Sequence, residues 1–296
     1  MKIKKHICVV SDYNFLVKGL TLYESLIKHD DNIVMHYLCI DDKSFDKLQQ
    51  CNFDNLFSYH TKILDDEALL NIKNTHREYY CYTLSSYFSK YMMEELDSDI
   101  TYIDSDIYFY DKLSVILDEI GKKDIGVFRH RQYPLSFVNN NGFFNVGVVH
   151  FKKSKMGKAF LDWWSDAVLH RKYPELATCG DQKYLDVLIN IDSENVFIDG
   201  DIGHGAPWQW QLYDYSSYFE DGCIVWNGKK QKLIFSHFSN FDYDISKNTY
   251  SPALRHSPYT PQHMYTDIPQ LKHIHDRYFE QLKQTYVKYN FAGDII

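Results

Sequence analysis

What this chain is short of narrows it first. It has 13 glycines and 7 prolines in 296 residues, too few for a collagenous, low-complexity or disordered protein. Its six cysteines, Cys8, Cys39, Cys51, Cys81, Cys179 and Cys223, form no CxxC pair. They read as reduced, mostly buried thiols rather than as a zinc or dithiol motif. No stretch approaches the roughly 18 uninterrupted apolar residues of a membrane-spanning helix. The opening MKIKKHICVV is basic like a signal peptide, but Ser11 and Asp12 cut its apolar run after four residues, so it reads as a first strand and a cytoplasmic location is expected. A Lys/Arg tract is also missing, and the formal net charge of -8 would repel a phosphate backbone, so nucleic acid is not an expected partner.

What is present is an ordinary globular composition, 45% apolar and 17% aromatic, long enough for one large α/β domain or two small ones. An apolar run over 6–10 is followed by Leu16, Leu20, Tyr23, Leu26 and Ile27 at helical spacing, then by a second run from Ile33 to Ile40 and a third near Ser58 to Leu64. This strand, helix, strand order favours a parallel sheet flanked by helices. Further strands are predicted over 100–110, 125–128, 143–151, 196–198, 224–226 and 233–237. The last two are joined through Asn227-Gly228 as a hairpin. Helices are predicted from the stripe Leu84 to Leu96 and over 113–120, 155–170, 182–189 and 271–289. From about Pro252 the composition shifts, so residues 1–250 read as the main domain and 251–296 as a helical extension packed on it.

The motif Asp-x-Asp occurs four times among 40 acidic residues, so context must separate the copies. Asp97/Asp99 follows a helix, Asp199/Asp201 opens a Gly-rich loop and Asp242/Asp244 lies in a polar loop; turns or caps account for each. Asp104 and Asp106 instead interrupt an apolar, strand-like run, where residues two apart share a face. Two carboxylates crowded among apolar neighbours repel each other and lose hydration, which calls for a bound cation or strong hydrogen bonds. A divalent metal completed by substrate oxygens is a usual way to hold a diphosphate. Ser11, Asp12 and Tyr13 end the first strand, where an open α/β sheet places its ligand crevice; an ordinary polar loop reads equally well there.

These residues bring the chain to a resemblance. VVSDYNFLVKGLTLYESL, YIDSDIYFY, NVGVVHF, GDQKYLD and IFSHF resemble, in order, the nucleotide-binding strand and helix, Asp-x-Asp strand, Asn-Ala-Gly-Val segment, Asp-Gln helix start and histidine-ending strand of family 8 type retaining glycosyltransferases. That group has the GT-A fold and includes glycogenin and bacterial lipopolysaccharide galactosyl- and glucosyltransferases. The resemblance implies a hexosyltransferase acting on a nucleotide diphosphate sugar, with a UDP-sugar as donor and a glycan or lipid-linked acceptor. It implies that Asp104, Asp106 and His237 hold a metal, with Mn2+ favoured over Mg2+ because one imidazole joins the oxygens. Ser11, Asp12, Tyr13, Ser105, Asn145 and Gly147 would bind the donor, and Asp181 and Gln182 would act beside the sugar. Trp208 would meet the acceptor, with core packing as its alternative.

Two departures stand out. Where the family has an arginine in the helix before Asp-x-Asp, this chain offers Lys90. After its histidine the family continues His-x-x-Gly-x-x-Lys-Pro-Trp, whereas this chain reads HFSNFDYDISK, leaving Lys247 as the substitute. The rival readings are a sugar-phosphate nucleotidyltransferase, whose basic Gly-rich first loop is replaced here by SDYNFLVKG, and a non-catalytic sugar-binding protein on the same fold. In the last helix, Leu271, Ile274, Tyr278 and Leu282 share a face, which either packs on the domain or makes peripheral contact with the inner face of a membrane.

Overall fold

A computed structural model describes residues 4–64, 66–131, 135–252 and 260–294. The first half alternates as the apolar periods dictate. Strand β1 (Lys5–Ser11) leads into α1 (Leu16–His29), β2 (Ile33–Cys39), α2 (Asp42–Gln50), β3 (Leu56–His60), α3 (Glu67–Thr75) and α4 (Arg77–Leu96). Local chemistry sets the boundaries: Asp41 caps α2 and Asp66 caps α3 by accepting amide hydrogen bonds, which satisfies first-turn donors that lack intrahelical partners. The predicted third strand sits earlier than its apolar run suggested, at β3, and Thr61–Leu64 turns into a 3-10 segment.

The run over 100–110 is not one strand. It divides into β4 (Ile100–Ile103) and β5 (Ile107–Phe109), and the two belong to different sheets. Asp104, Ser105 and Asp106 form the turn between them, closed by the Ile107 amide donating to the Asp104 carbonyl at 3.1 Å. The aspartates are therefore brought together by a chain reversal, not by the two-residue repeat of a strand. Beyond lie α5 (Leu113–Ile120), β6 (Ile125–Arg129), the single turn α6 (Val138–Asn141), β7 (Phe144–Phe151) and α7 (Lys155–Leu169). The predicted helix after Asp181 is a 3-10 run, Gln182–Asn190.

The main sheet has the order β3-β2-β1-β4-β7-β6-β8, where β8 is Val196–Ile198. Its pairs are parallel except those of β7, which runs against both β4 and β6. In a smaller sheet β11 (Lys229–His237) pairs with β5, with β9 (Gly203–Gly205) and with β10 (Cys223–Trp226), the last forming the expected hairpin, and the short α8 (Tyr218–Asp221) precedes β10. The polar loop holding Asp242 is itself a hairpin, β12 (Asp242–Asp244) with β13 (Thr249–Ser251). The chain ends in α9 (Met264–Asp267) and α10 (Pro269–Lys288).

Two apolar clusters cover the sheet. One contains α1, β5 and α10, and the other α4, β7 and α7. Leu271, Ile274, Tyr278 and Leu282 are all buried in the first, each burial worth about 1.5–3 kcal/mol, so this face of α10 is spent on the core. Among the described residues no helix is long and apolar enough to cross a membrane.

Candidate metal and donor site

Pairing register builds the site. Strand β11 runs antiparallel to β5 with His237 opposite Ile107, and the Phe238 amide donates to the Asp106 carbonyl at 2.8 Å. That register sets the imidazole beside the turn. On the other side the Asp104 amide donates to the Gly147 carbonyl of β7 at 2.9 Å, so the turn is held from both sheets. Ligand atoms of Asp104, Asp106 and His237 consequently lie within 4.8 Å of one another. His237 Nε2 is 3.0 Å from Asp106 Oδ1 and 3.9 Å from Asp104 Oδ2.

The charges show why such a cluster wants a cation. Burial raises the Asp104 carboxyl above the usual carboxylate range and the Asp106 charge adds to this, against the opposing pull of His237 and a hydrogen bond from Tyr102. Burial acts the same way on Asp106, but His237 and Lys18 outweigh it and the carboxyl falls below its ordinary value. Burial would depress His237; the two carboxylates instead raise it. A divalent ion would replace the imidazolium as the positive partner, and two carboxylates with one imidazole are a suitable donor set for it.

The outer contacts fit that role. His237 Nδ1 donates to Asn145 Oδ1 at 3.1 Å, which leaves Nε2 facing the carboxylates, the usual device for orienting a ligand histidine. Asn145 Oδ1 also accepts the Gly147 amide, and its Nδ2 donates to Gln182 Oε1 at 2.8 Å. Gln182 Nε2 in turn donates to the Asn141 carbonyl at 2.6 Å. Gly147 is there for space: an added Cβ would sit 2.5 Å from Asn145 Oδ1 and 2.9 Å from His237 Nδ1. Tyr102, which sequence reasoning passed over, donates its hydroxyl to Asp104 Oδ1 at 2.8 Å.

Asp181 does not cap the 3-10 run that follows it. Its carboxyl is buried and takes a hydrogen bond from Ser85 of α4, another residue the sequence did not single out. Burial pushes this carboxyl up to about 7, the Ser85 hydroxyl limits the rise, and the Asp104 charge adds to it. Trp208 is buried, its ring edge-on to His237 with centroids 5.3 Å apart. Ser105 is buried inside the turn.

At the end of β1, Ser11 Oγ lies 2.5 Å from the Tyr37 hydroxyl. Asp12 Oδ1 accepts the amides of Asn14 and Phe15, and the Tyr13 ring lies under the Lys43 ammonium, 3.9 Å from its centroid. The two expected donor lysines are elsewhere. Lys90 pairs with Asp162 of α7 at 3.1 Å, and Lys247 is 77% exposed and pairs with Asp244 in the β12–β13 turn. Among the described residues neither touches the Asp104–Asp106–His237 cluster. Asp199, assigned to a turn, is buried and pairs with Arg131 at 3.1 Å.

With the geometry in place, the chain can be set beside known proteins. It is 28% identical over 251 residues to uncharacterized protein YfnF of Bacillus subtilis (strain 168), covering 79% of this chain and 80% of that protein. It is 25% identical over 245 residues to YfnD of the same organism, covering 80% and 78%. No family model matches the sequence. Among solved structures, the galactosyltransferase LgtC in complex with donor and acceptor sugar analogs superposes with a TM-score of 0.54 at 14% identity, over 89% of this chain and 94% of that one. Apo mouse xyloside xylosyltransferase 1 does so with a TM-score of 0.53 at 15% identity, over 80% and 98%. The fold is accordingly the GT-A fold of glycosyltransferases.

Proposed function

We propose that this GT-A chain is a metal-dependent hexosyltransferase. Its donor is a nucleotide diphosphate sugar, a UDP-sugar in our reading. Its acceptor is a glycan or lipid-linked sugar, and the anomeric configuration is retained. The observation that carries this is the Asp104–Asp106–His237 cluster, set in the turn that follows a sheet strand, where such folds bind ligands. Residues 1–250 form the transferase domain in this reading, with 251–296 as an extension packed on it.

Asp104, Asp106 and His237 would hold the ion, which we take to be manganese. When bound, it supplies Lewis-acid neutralisation of the charge that builds on the departing diphosphate. The protein's own groups do the rest. Asn145 fixes the His237 ring and, through the same amide, the side chain of Gln182. Gln182 is thus a rigid dipole for the sugar, where an oxocarbenium-like centre needs a polar or negative neighbour. Asp181, held by Ser85, adds a carboxylate whose ionisation is tuned by its neighbours. Ser11, Asp12 and Tyr13 line the nucleotide end, and Trp208 backs the metal ligand on the acceptor side.

The test is sugar release or transfer from UDP-glucose and UDP-galactose, assayed with and without manganese. Wild type should turn over one of them only with the ion, and Asp106→Asn should lose that activity while remaining folded. Activity at the wild-type level in Asp106→Asn would overturn the assignment.

A further inference from the structure

Helix α1 buries Leu16, Val17 and Leu20 as an amphipathic helix must, but it also buries Lys18, which is only 6% exposed. Lysine is almost never so deeply buried unless it is paired. An ammonium carries three donors and no acceptor, and among the described residues Lys18 has no hydrogen bond and no ion pair. Its ammonium lies over the Phe15 ring, 4.8 Å from Nζ to the centroid. Leaving a buried charge without acceptors is unfavourable, so a protein that keeps one uses it for something.

Its position says for what. Helix α1 packs against β5, the strand that leaves the Asp104–Asp106 turn, with the Phe109 amide donating to Ser25 Oγ of α1 at 3.2 Å. Burial pulls the Lys18 ammonium below its usual range, Asp106 and Asp242 oppose this, and the Lys18 charge in turn pulls His237 down. The next residue, Gly19, permits the close approach of α1 to the sheet: a Cβ there would sit 2.1 Å from the Tyr37 hydroxyl oxygen. Tyr37 also contacts Ser11 at the end of β1. The ammonium thus lies beside the loop that ends the first strand and within electrostatic reach of Asp106 and His237, where an anion bound at the cluster would supply the acceptors it lacks.

We infer that Lys18 is the lysine that binds the diphosphate of the nucleotide-sugar donor. This rests on the donor reading above and replaces both Lys90 and Lys247 in it. Lys18 supplies charge-assisted hydrogen bonds to phosphate oxygens on the side away from His237. The developing negative charge on the leaving diphosphate is then met by a cation that belongs to the protein.

The experiment is calorimetry of UDP binding in the presence of manganese, for wild type, Lys18→Met and Lys18→Arg, with thermal melts of each without ligand. The Met variant should bind UDP about 10- to 100-fold more weakly, the loss expected for hydrogen bonds to a charged group. Lys18→Arg should recover most of it. Without ligand, Lys18→Met should melt no lower than wild type, because an unpartnered buried charge has been removed. Unchanged UDP affinity in Lys18→Met overturns the inference. So does a Met variant that melts lower or fails to fold, since Lys18 would then be an internal counter-ion. A wild type that binds no nucleoside diphosphate with manganese present is a different failure, that of the donor reading itself.

Discussion

Replacing Asn145 by Ala separates the imidazole-orienting role from everything else at the site. The side chain makes three hydrogen bonds: from His237 Nδ1 at 3.1 Å, from the Gly147 amide at 2.8 Å, and to Gln182 Oε1 at 2.8 Å. Removing the acceptor frees the His237 ring to rotate or change tautomer. Outer partners of metal ligands are typically worth 10–100-fold in affinity, or about 1.4–2.7 kcal/mol of metal binding. The Gly147 amide is left without its acceptor, so the metal-free fold should lose about 1–3 kcal/mol as well. Manganese titration followed by electron paramagnetic resonance reads the first effect and a denaturant melt the second. Asn145→Asp is the control, because it keeps the acceptor for His237 and Gly147 while losing the donor to Gln182. It should bind manganese at least as well as wild type and still turn over donor poorly. An Ala variant that binds manganese as tightly as wild type would refute the reasoning.

Other outcomes follow from the same geometry. Gly147→Ala pushes a methyl to 2.9 Å from His237 Nδ1 and 3.2 Å from Ile107 Cδ1; overpacking of this kind destabilises by about 1–3 kcal/mol, and manganese affinity should fall with it in the same titration. Asp199→Asn strands Arg131, whose side chain is fully buried, and should cost about 3–5 kcal/mol in a urea melt. His204 and Arg131 hold the Asp199 carboxyl far below its ordinary range despite burial. Its stabilisation is therefore present above the usual carboxylate pKa and lost as pH falls below it, so wild type and Asp199→Asn should converge in stability on acidification. Asp181 has the opposite sign: with its carboxyl raised to about 7, folded wild type gives up stability as pH rises from about 4 to 7. Asp181→Asn should escape this loss, gaining on wild type in melts at pH 8 relative to pH 5; a constant difference between the two would contradict the assignment.

Much of the frame was legible because it is local. The period of the apolar residues located α1, α5 and α10 and the strands of the main sheet to within a few residues, and Asn-Gly marked the β10–β11 turn. What stayed hidden depends on distant partners. The break between β4 and β5 leaves no mark in hydropathy, since both halves are buried strands and only their pairing with β7 and β11 assigns them to different sheets. Asp199 does open a turn, its carbonyl accepting the Ile202 amide at 3.2 Å, but nothing near it in sequence announces Arg131, 68 residues away. Lys18 was passed over because a lysine one residue off an apolar stripe ordinarily lies on the solvated face of its helix. Asp104 and Asp106 were found through their apolar setting, though that setting is a crossing between sheets.

The phenyl ring next to His237 gives the last helix a significance its sequence does not advertise. Phe238 lies flat on Tyr278 of α10, with ring centroids 3.8 Å apart and planes 9° from parallel. Phe241 closes on the same tyrosine from the side at 5.1 Å. The peptide that carries His237 is thus clamped by a segment some forty residues downstream. A chain cut before Pro269 would lose that clamp, and with it the fixed bearing of one of the three candidate metal ligands. The C-terminal segment is in this sense a scaffold for the candidate metal site, and a change on its buried face should be felt as a change in metal affinity.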